Sequence, residues 1–281
     1  MGASFFRIFQ PEMSDIWAQS EGHKILATLG IKSVEDAWNP DLPGEIVNDR
    51  GDRQVLRVVP SPEEPPVYLK RWRFSTSNPR RILPGNGDLR WRARREKENL
   101  ELLGVGGIVA PSPLAMGETR GPFGPVATFL FMSEMTGYRP ACDLLPMPLG
   151  DAFQLIHGIT ETLGKLHTLD RYARSPGLKH FYVTEDRRSF GLIDVPRLDK
   201  PAHGWMAGLK KAFGMDIPSR ERDLSKIWVE WNSYFPQAEE WQEAFWRGYA
   251  THFPSLANNP NLRTEVIRLA DWRAKRRGRK D

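Results

Sequence analysis

Apolar and polar positions along the 281-residue chain change period about halfway along. Short alternating runs dominate the first half. VYLKRW, residues 67–72, puts Tyr68, Lys70 and Trp72 on one side and Val67, Leu69 and Arg71 on the other, the period-two pattern of a strand. GEIVNDRGDRQVLRVV predicts a hairpin turning at Asp49-Arg50-Gly51-Asp52 and followed by a β-branched run. Two more strands are expected at residues 113–116 and 126–134.

Spacings of three and four mark the helices. One is expected over 14–29, with Ser14 as N-cap and Ile16, Trp17, Ile25 and Leu26 as its apolar positions. A second spans 88–103, with Leu89, Ala93, Leu100 and Leu103 buried and Gly104 just past its end. A third spans 151–167 through Phe153, Ile156, Ile159, Leu163 and Leu166. HFYV and FGLID then read as short strands, and tryptophan-rich helices follow from Trp205. Strands with one helix, then almost all helix, predict an α+β fold with a small β-rich lobe, a larger helical lobe and a ligand cleft at their junction. The breaks suggest an N-terminal helical extension over 1–39, lobes over 40–135 and 136–258, and a basic helix or tail over 259–281.

Composition narrows the class. With 40% hydrophobic and 27% charged residues the chain is ordinary globular material. Its one cysteine, Cys142, excludes an internal disulfide and a cysteine-rich zinc cage. No apolar run reaches the ~20 residues of a membrane span, and the first residues show no signal-peptide core, so a soluble cytoplasmic protein is expected. The net charge of +5 is uneven: residues 271–281 hold six basic and two acidic residues, a balance of +4. Residues 70–95 hold nine Lys or Arg against Asp88 alone. Both stretches suggest an anionic partner, such as a phosphorylated sugar or an acidic membrane surface, unless they are simply solvated. Nucleic acid is the least favoured partner, for no helix-turn-helix, zinc-finger or RNA-binding aromatic signature is present. Trp72 and Trp91 border the basic stretch, as core residues or as interfacial and sugar-stacking rings.

Four segments in order carry a family resemblance: VYLKRW, then ARREKENLELLGV leading into PSPLAMGE, then the LGKLH helix with its loop, then LIDVPR. Together they make the chain resemble the Kdo and heptose kinases of Gram-negative lipopolysaccharide synthesis, the WaaP type, a divergent branch of the protein-kinase fold. The resemblance implies a bilobal protein-kinase-like architecture, use of ATP and Mg²⁺, and a sugar or glycolipid acceptor at the inner face of the inner membrane. It implies that Lys70 holds phosphates and that Glu96 fixes Lys70, with Glu98 as the alternative. It also implies that Asp194 binds the metal and that His180 stands on the second metal side or the phosphate side. Phosphoryl transfer asks the protein mainly for such positioning and charge neutralisation.

The catalytic loop departs from the family pattern. Leu166-His167 and His180-Phe181 fit its flanks, and this register sets Ala173-Arg174-Ser175 where His-Arg-Asp belongs. Ser175 thus stands in place of the aspartate, beside Arg174, and losing a general base costs about 10²–10⁴-fold in rate. Asp170 and Asp186 are the nearest substitute carboxylates, and His167 is expected to orient the loop through a hydrogen bond. The phosphate-covering loop, expected in the hairpin from Gly44 to Gly51, lacks a Gly-x-Gly-x-x-Gly run. Three readings follow: an ATP-dependent phosphotransferase of impaired activity, a pseudokinase acting as a nucleotide-binding or scaffolding module, and a basic surface adaptor.

Overall fold

The computed structural model describes residues 13–73, 92–121, 124–200, 218–236 and 240–277. By its internal contacts the chain divides into two compact units. Met1–Glu98 with Pro111–Glu134 forms one, and Asn99–Ala110 with Met135–Asp281 the other.

The first unit is built on a six-stranded antiparallel sheet. Its strands are β1 (Met13–Ala18), β2 (Glu45–Asp49), β3 (Arg53–Val58), β4 (Val67–Arg73), β5 (Pro113–Gly121) and β6 (Gly124–Ser133). They lie in the order β1-β5-β6-β4-β3-β2. The alternation in β4 sends Val67 and Leu69 into a core with Leu56, Val58, Phe129 and Phe131, roofed by Ile25 and Leu26 of helix α1 (Ser20–Thr28). The opposite face is covered too, so Lys70 and Trp72 are buried as well.

The helix expected to begin at Ser14 begins only at Ser20. Met13–Ala18 instead pair with β5, Trp17 opposite Met116. The apolar pair Ile16-Trp17 suits a strand as well as a helix, and pairing with a distant edge decides between them.

The basic stretch also differs from expectation. Arg71 is buried, donating to the Ala37 carbonyl at 2.7 Å and to Gln54 Oε1 at 2.8 Å, with Trp38 stacked 4.9 Å from its guanidinium. Arg73 pairs with Glu35 at 3.0 Å. Lys70 and Arg71 are therefore unavailable to a membrane surface, and Trp72 is a packing residue. Residues 74–91, with Trp91 and three of the six remaining basic residues of the stretch, lie outside the described residues.

Helix α2 (Arg92–Val105) runs from the first unit into the second. The second unit adds a small antiparallel sheet of β7 (Tyr138–Pro140), β8 (Phe181–Thr184) and β9 (Phe190–Leu192). Its helices are α3 (Leu149–Thr168), α4 (Arg220–Tyr234), α5 (Glu240–Ala250), α6 (Pro254–Ala257) and α7 (Pro260–Arg277). Tryptophans build its core: the Trp228 ring lies 4.5 Å from Trp241, 5.0 Å from Phe245 and 6.0 Å from Trp246. Among the described residues no helix is long and apolar enough to cross a membrane.

Helices α3 and α5 meet at Gly248. A Cβ there would stand 2.2 Å from the His157 carbonyl oxygen and 2.3 Å from Thr160 Oγ1. Because overpacking a fitted crossing forces the backbones apart, Gly248→Ala should destabilise the protein by about 1–3 kcal/mol. The expected reading is a lower urea midpoint at unchanged slope; an unchanged midpoint would mean that the helices do not approach this closely.

Candidate nucleotide and acceptor site

In the first unit, the side of β4 that carries Lys70 faces α2. Lys70 Nζ donates to Glu96 Oε1, the lysine side chain 10% and the glutamate side chain 1% exposed. Glu98, two residues further along the helix, is exposed, so of the two candidates the structure pairs Glu96 with the lysine. The helix is held in register by charges on either side of that pair. Arg94 donates to the buried carboxylate of Glu118 on β5 at 2.6 Å, and Arg120 donates to the same oxygen. Lys97 sits 3.9 Å above the ring of Trp17, so β1 contributes to seating the helix. The second oxygen of Glu96 is buried without a hydrogen-bond partner among the described residues.

The expected hairpin forms between β2 and β3, with a bulge between Ile46 and Asn48. Gly51 takes φ +74° at its turn and donates its N–H to Asp49 Oδ1 at 2.7 Å. That bond, with a second from Gln54, holds the Asp49 carboxyl below its ordinary range. The turn glycine thus closes the hairpin through its own neighbours.

In the second unit, the loop after α3 is gripped by a residue that the sequence reading passed over. Asp223 on α4 is fully buried and accepts the N–H of Ala173 at 2.7 Å and of Ser175 at 2.5 Å. His167 lies between Asp223, with Nε2 at 3.4 Å, and the Tyr249 hydroxyl, with Nδ1 at 3.0 Å. Burial drives the His167 pKa down, against the opposing pull of Asp223, and raises that of Tyr249. A neutral His167 beside a carboxylate carries its proton on Nε2 and accepts from the tyrosine on Nδ1. The expected orienting contact of His167 therefore runs through Asp223.

Three residues singled out in the sequence share a backbone feature. Arg174, Ser175 and Asp194 have φ of 52°, 74° and 53°, the left-handed region that side chains other than glycine seldom enter. Conformations of this kind cost about 1–3 kcal/mol each and persist only where the surroundings enforce them. For Ser175 the enforcing contact is Asp223. For Arg174 it is an ion pair with Asp199, whose backbone pairs with Tyr172 through two 3.0 Å bonds. Near Asp194, Ile193 donates its N–H to the His180 carbonyl at 2.9 Å, and Asn99 donates to the Val195 carbonyl at 2.6 Å.

Arg174, Ser175, His180 and Asp194 line one open hollow, together with Arg197 and apolar side chains that include Ile193 and Val195. Neither Asp170 nor Asp186 lines it. Asp170 is exposed, and Asp186 caps the β8–β9 turn by accepting from the Thr184 hydroxyl at 2.6 Å and the Arg188 N–H at 3.1 Å. His180 Nδ1 accepts the Gly177 N–H at 2.9 Å, so a neutral ring turns an Nε2–H outward as a donor. Burial lowers the His180 pKa and Asp194 opposes the shift, so the neutral form is favoured near neutral pH. Among the described residues no three His, Cys, Asp or Glu converge as a metal cage. Asp194 is a hard oxygen donor of the kind Mg²⁺ takes when phosphates complete its shell, whereas a ring nitrogen that bears hydrogen is no ligand.

No protein-family model matches the chain, and no curated protein sequence matches it. Solved structures do, and the match to WaaP shows a protein-kinase-like fold. WaaP in complex with acyl carrier protein superposes with a TM-score of 0.62 over 92% of this chain and 98% of that one, at 18% identity. The PknI kinase domain of Mycobacterium tuberculosis gives 0.44 at 13% identity over 79% of this chain and 92% of that one. WbdD gives 0.45 at 17% identity over 81% of this chain and 44% of its own.

Removing one partner of a buried ion pair strands the other, whereas replacing both with apolar groups is near neutral. Glu96→Ala should therefore destabilise the protein by about 3–5 kcal/mol, and Lys70→Met/Glu96→Leu should recover most of that loss. Chemical denaturation of the three proteins checks this; a double variant as unstable as Glu96→Ala would show that Lys70 and Glu96 are not coupled.

Proposed function

We propose that this protein is an ATP-dependent phosphotransferase of the lipopolysaccharide-kinase type, acting on a sugar or glycolipid hydroxyl, with a phosphate-handling half better equipped than its acceptor half. The observation that carries the proposal is the buried Lys70–Glu96 pair. A lysine 8% exposed and tied to a carboxylate 1% exposed is costly to build as mere structure, and the second oxygen of Glu96 has no hydrogen-bond partner among the described residues. Such a lysine is a pre-positioned charge for phosphate oxygens.

In this reading Lys70 holds nucleotide phosphates and Glu96 keeps its ammonium in place. Asp194 supplies the carboxylate for Mg²⁺, and His180 donates its Nε2–H to a phosphate oxygen. Bound MgATP supplies the γ-phosphoryl group with its charge partly neutralised. Ser175 carries no base, so the acceptor proton leaves without a carboxylate to take it, and turnover is lowered by about 10²–10⁴-fold. A glycolipid acceptor implies work at the cytoplasmic membrane surface, where the exposed Trp272, Lys275 and Arg276 of α7 offer a basic and aromatic face. Ser175 itself favours the second reading, a pseudokinase that binds nucleotide and acts through a partner.

MgATP should raise the melting temperature of the native protein, since a ligand bound only by the folded state stabilises by RT ln(1 + [L]/Kd), about 2.7 kcal/mol at 100 times Kd. Asp194→Ala should shrink that gain when Mg²⁺ is present and change it little when Mg²⁺ is chelated. Labelled ATP with lipopolysaccharide fractions should then give transfer above a Lys70→Ala control. Absence of any MgATP shift in the native protein would end both the kinase and the nucleotide-binding readings.

A further inference from the structure

Arg273 lies on α7, far along the chain from the loop, within the stretch whose charge suggests a solvated tail. Yet its Nη2 donates to Ser175 Oγ at 2.7 Å and to the Arg222 carbonyl at 3.3 Å, while its Nε donates to Ser225 Oγ at 3.2 Å. The last two acceptors sit in the first turns of α4, the helix whose Asp223 holds the loop backbone. Residue 175 is therefore gripped twice, its N–H by a buried carboxylate and its side chain by a guanidinium.

We infer that Arg273 is a positioning residue that acts through Ser175 and makes this point of the acceptor loop a hydrogen-bond donor instead of a proton acceptor. A guanidinium carries only donors and does not lose its proton in proteins. The hydroxyl oxygen of Ser175 accepts from it, which leaves the hydroxyl hydrogen to be given away. A carboxylate at the same position would meet the same guanidinium and form a charge-assisted pair. Such a pair lowers carboxylate basicity and directs its lone pairs away from an incoming alcohol. Serine at 175 and arginine at 273 are thus a matched set, and reinstating an acid alone does not reinstate a base.

The inference rests on the phosphotransferase reading only for its turnover arm. At pH 7.5, Ser175→Asp should raise the melting temperature by about 2–4 °C, the shift a pair of this size gives in a protein of this length. Asp223, which accepts the N–H of residue 175, would raise the new carboxylate's pKa, and Arg273, in direct side-chain contact, would lower it by more; the gain is therefore present above the unfolded carboxylate value near 4 and is lost as pH falls through the folded value. Arg273→Gln in the same background should abolish the gain, and Ser175→Asn, which adds no charge, should never show it. In acceptor-free assays of MgATP hydrolysis, Ser175→Asp/Arg273→Gln should turn over at least about tenfold faster than Ser175→Asp alone, part of what a freed general base supplies.

Equal turnover gains with and without Arg273, or a melting gain that survives Arg273→Gln, would overturn the inference. Should the double variant not fold, carbon-13 titration of the new carboxylate in Ser175→Asp alone decides. A pKa below the ordinary value of about 3.9 supports the pair, and one at or above it refutes it. If native protein shows no MgATP shift, the phosphotransferase reading fails, while the melting and titration arms still decide the role of Arg273.

Discussion

The second unit turns on one buried carboxylate. Asp223 sits fully inside the protein and accepts two backbone N–H groups from the loop that follows α3. A carboxylate in that position is costly unless its oxygens are met by donors, and the loop supplies them. The dependence runs both ways. The loop holds Ser175 in a left-handed backbone conformation that would relax without the carboxylate, and α4 keeps its buried acid because the loop satisfies it. His167 and Tyr249 extend the same network into α3 and α5, so three helices and one loop share a hydrogen-bonded core. Everything proposed for Ser175 presumes this anchor.

The first unit solves a similar problem with an ion pair. Lys70 and Glu96 belong to a strand and a helix that must hold their relative height for the pair to close. Backbone bonds cannot fix that height, because nothing in a sheet bonds to a helix lying across it. Side chains do it instead. Arg94 and Arg120 converge on the buried Glu118, and Lys97 rests on Trp17. Strand β1 is thus part of the support of the lysine and not an appendage to it.

This difference explains what the sequence disclosed. Lys70 and Glu96 were legible because each sits in a local pattern, a period-two strand and a period-3.6 helix, whose faces can be read without the fold. Ser175 was legible because its loop is bracketed by Leu166-His167 and His180-Phe181. Asp223 was not, since an acid in the first turn of a helix ordinarily reads as a solvated charge near the helix dipole. The available signal was its spacing: it shares a face with Ile227 at i+4, and that face is apolar and buried. Strand β1 escaped because its partner, β5, lies about a hundred residues away. Arg273 escaped because a run of cations predicts repulsion and solvation, and only tertiary contact selects one of them for an internal task.

That selection bears on what an aspartate at position 175 would do. A substitution at one position invites the view that a single reversal would restore chemistry. The surroundings of Ser175 argue otherwise. The backbone of the residue is held by an acid and its side chain by a base, and both grips come from outside the loop. Replacing serine by aspartate would place a new carboxylate between Asp223, which repels it, and Arg273, which captures it. Neither neighbour leaves it free to receive a proton from an alcohol. The surroundings of Ser175 are therefore a local electrostatic arrangement built around a hydroxyl, and the character of that position changes only when the charge facing the hydroxyl changes as well.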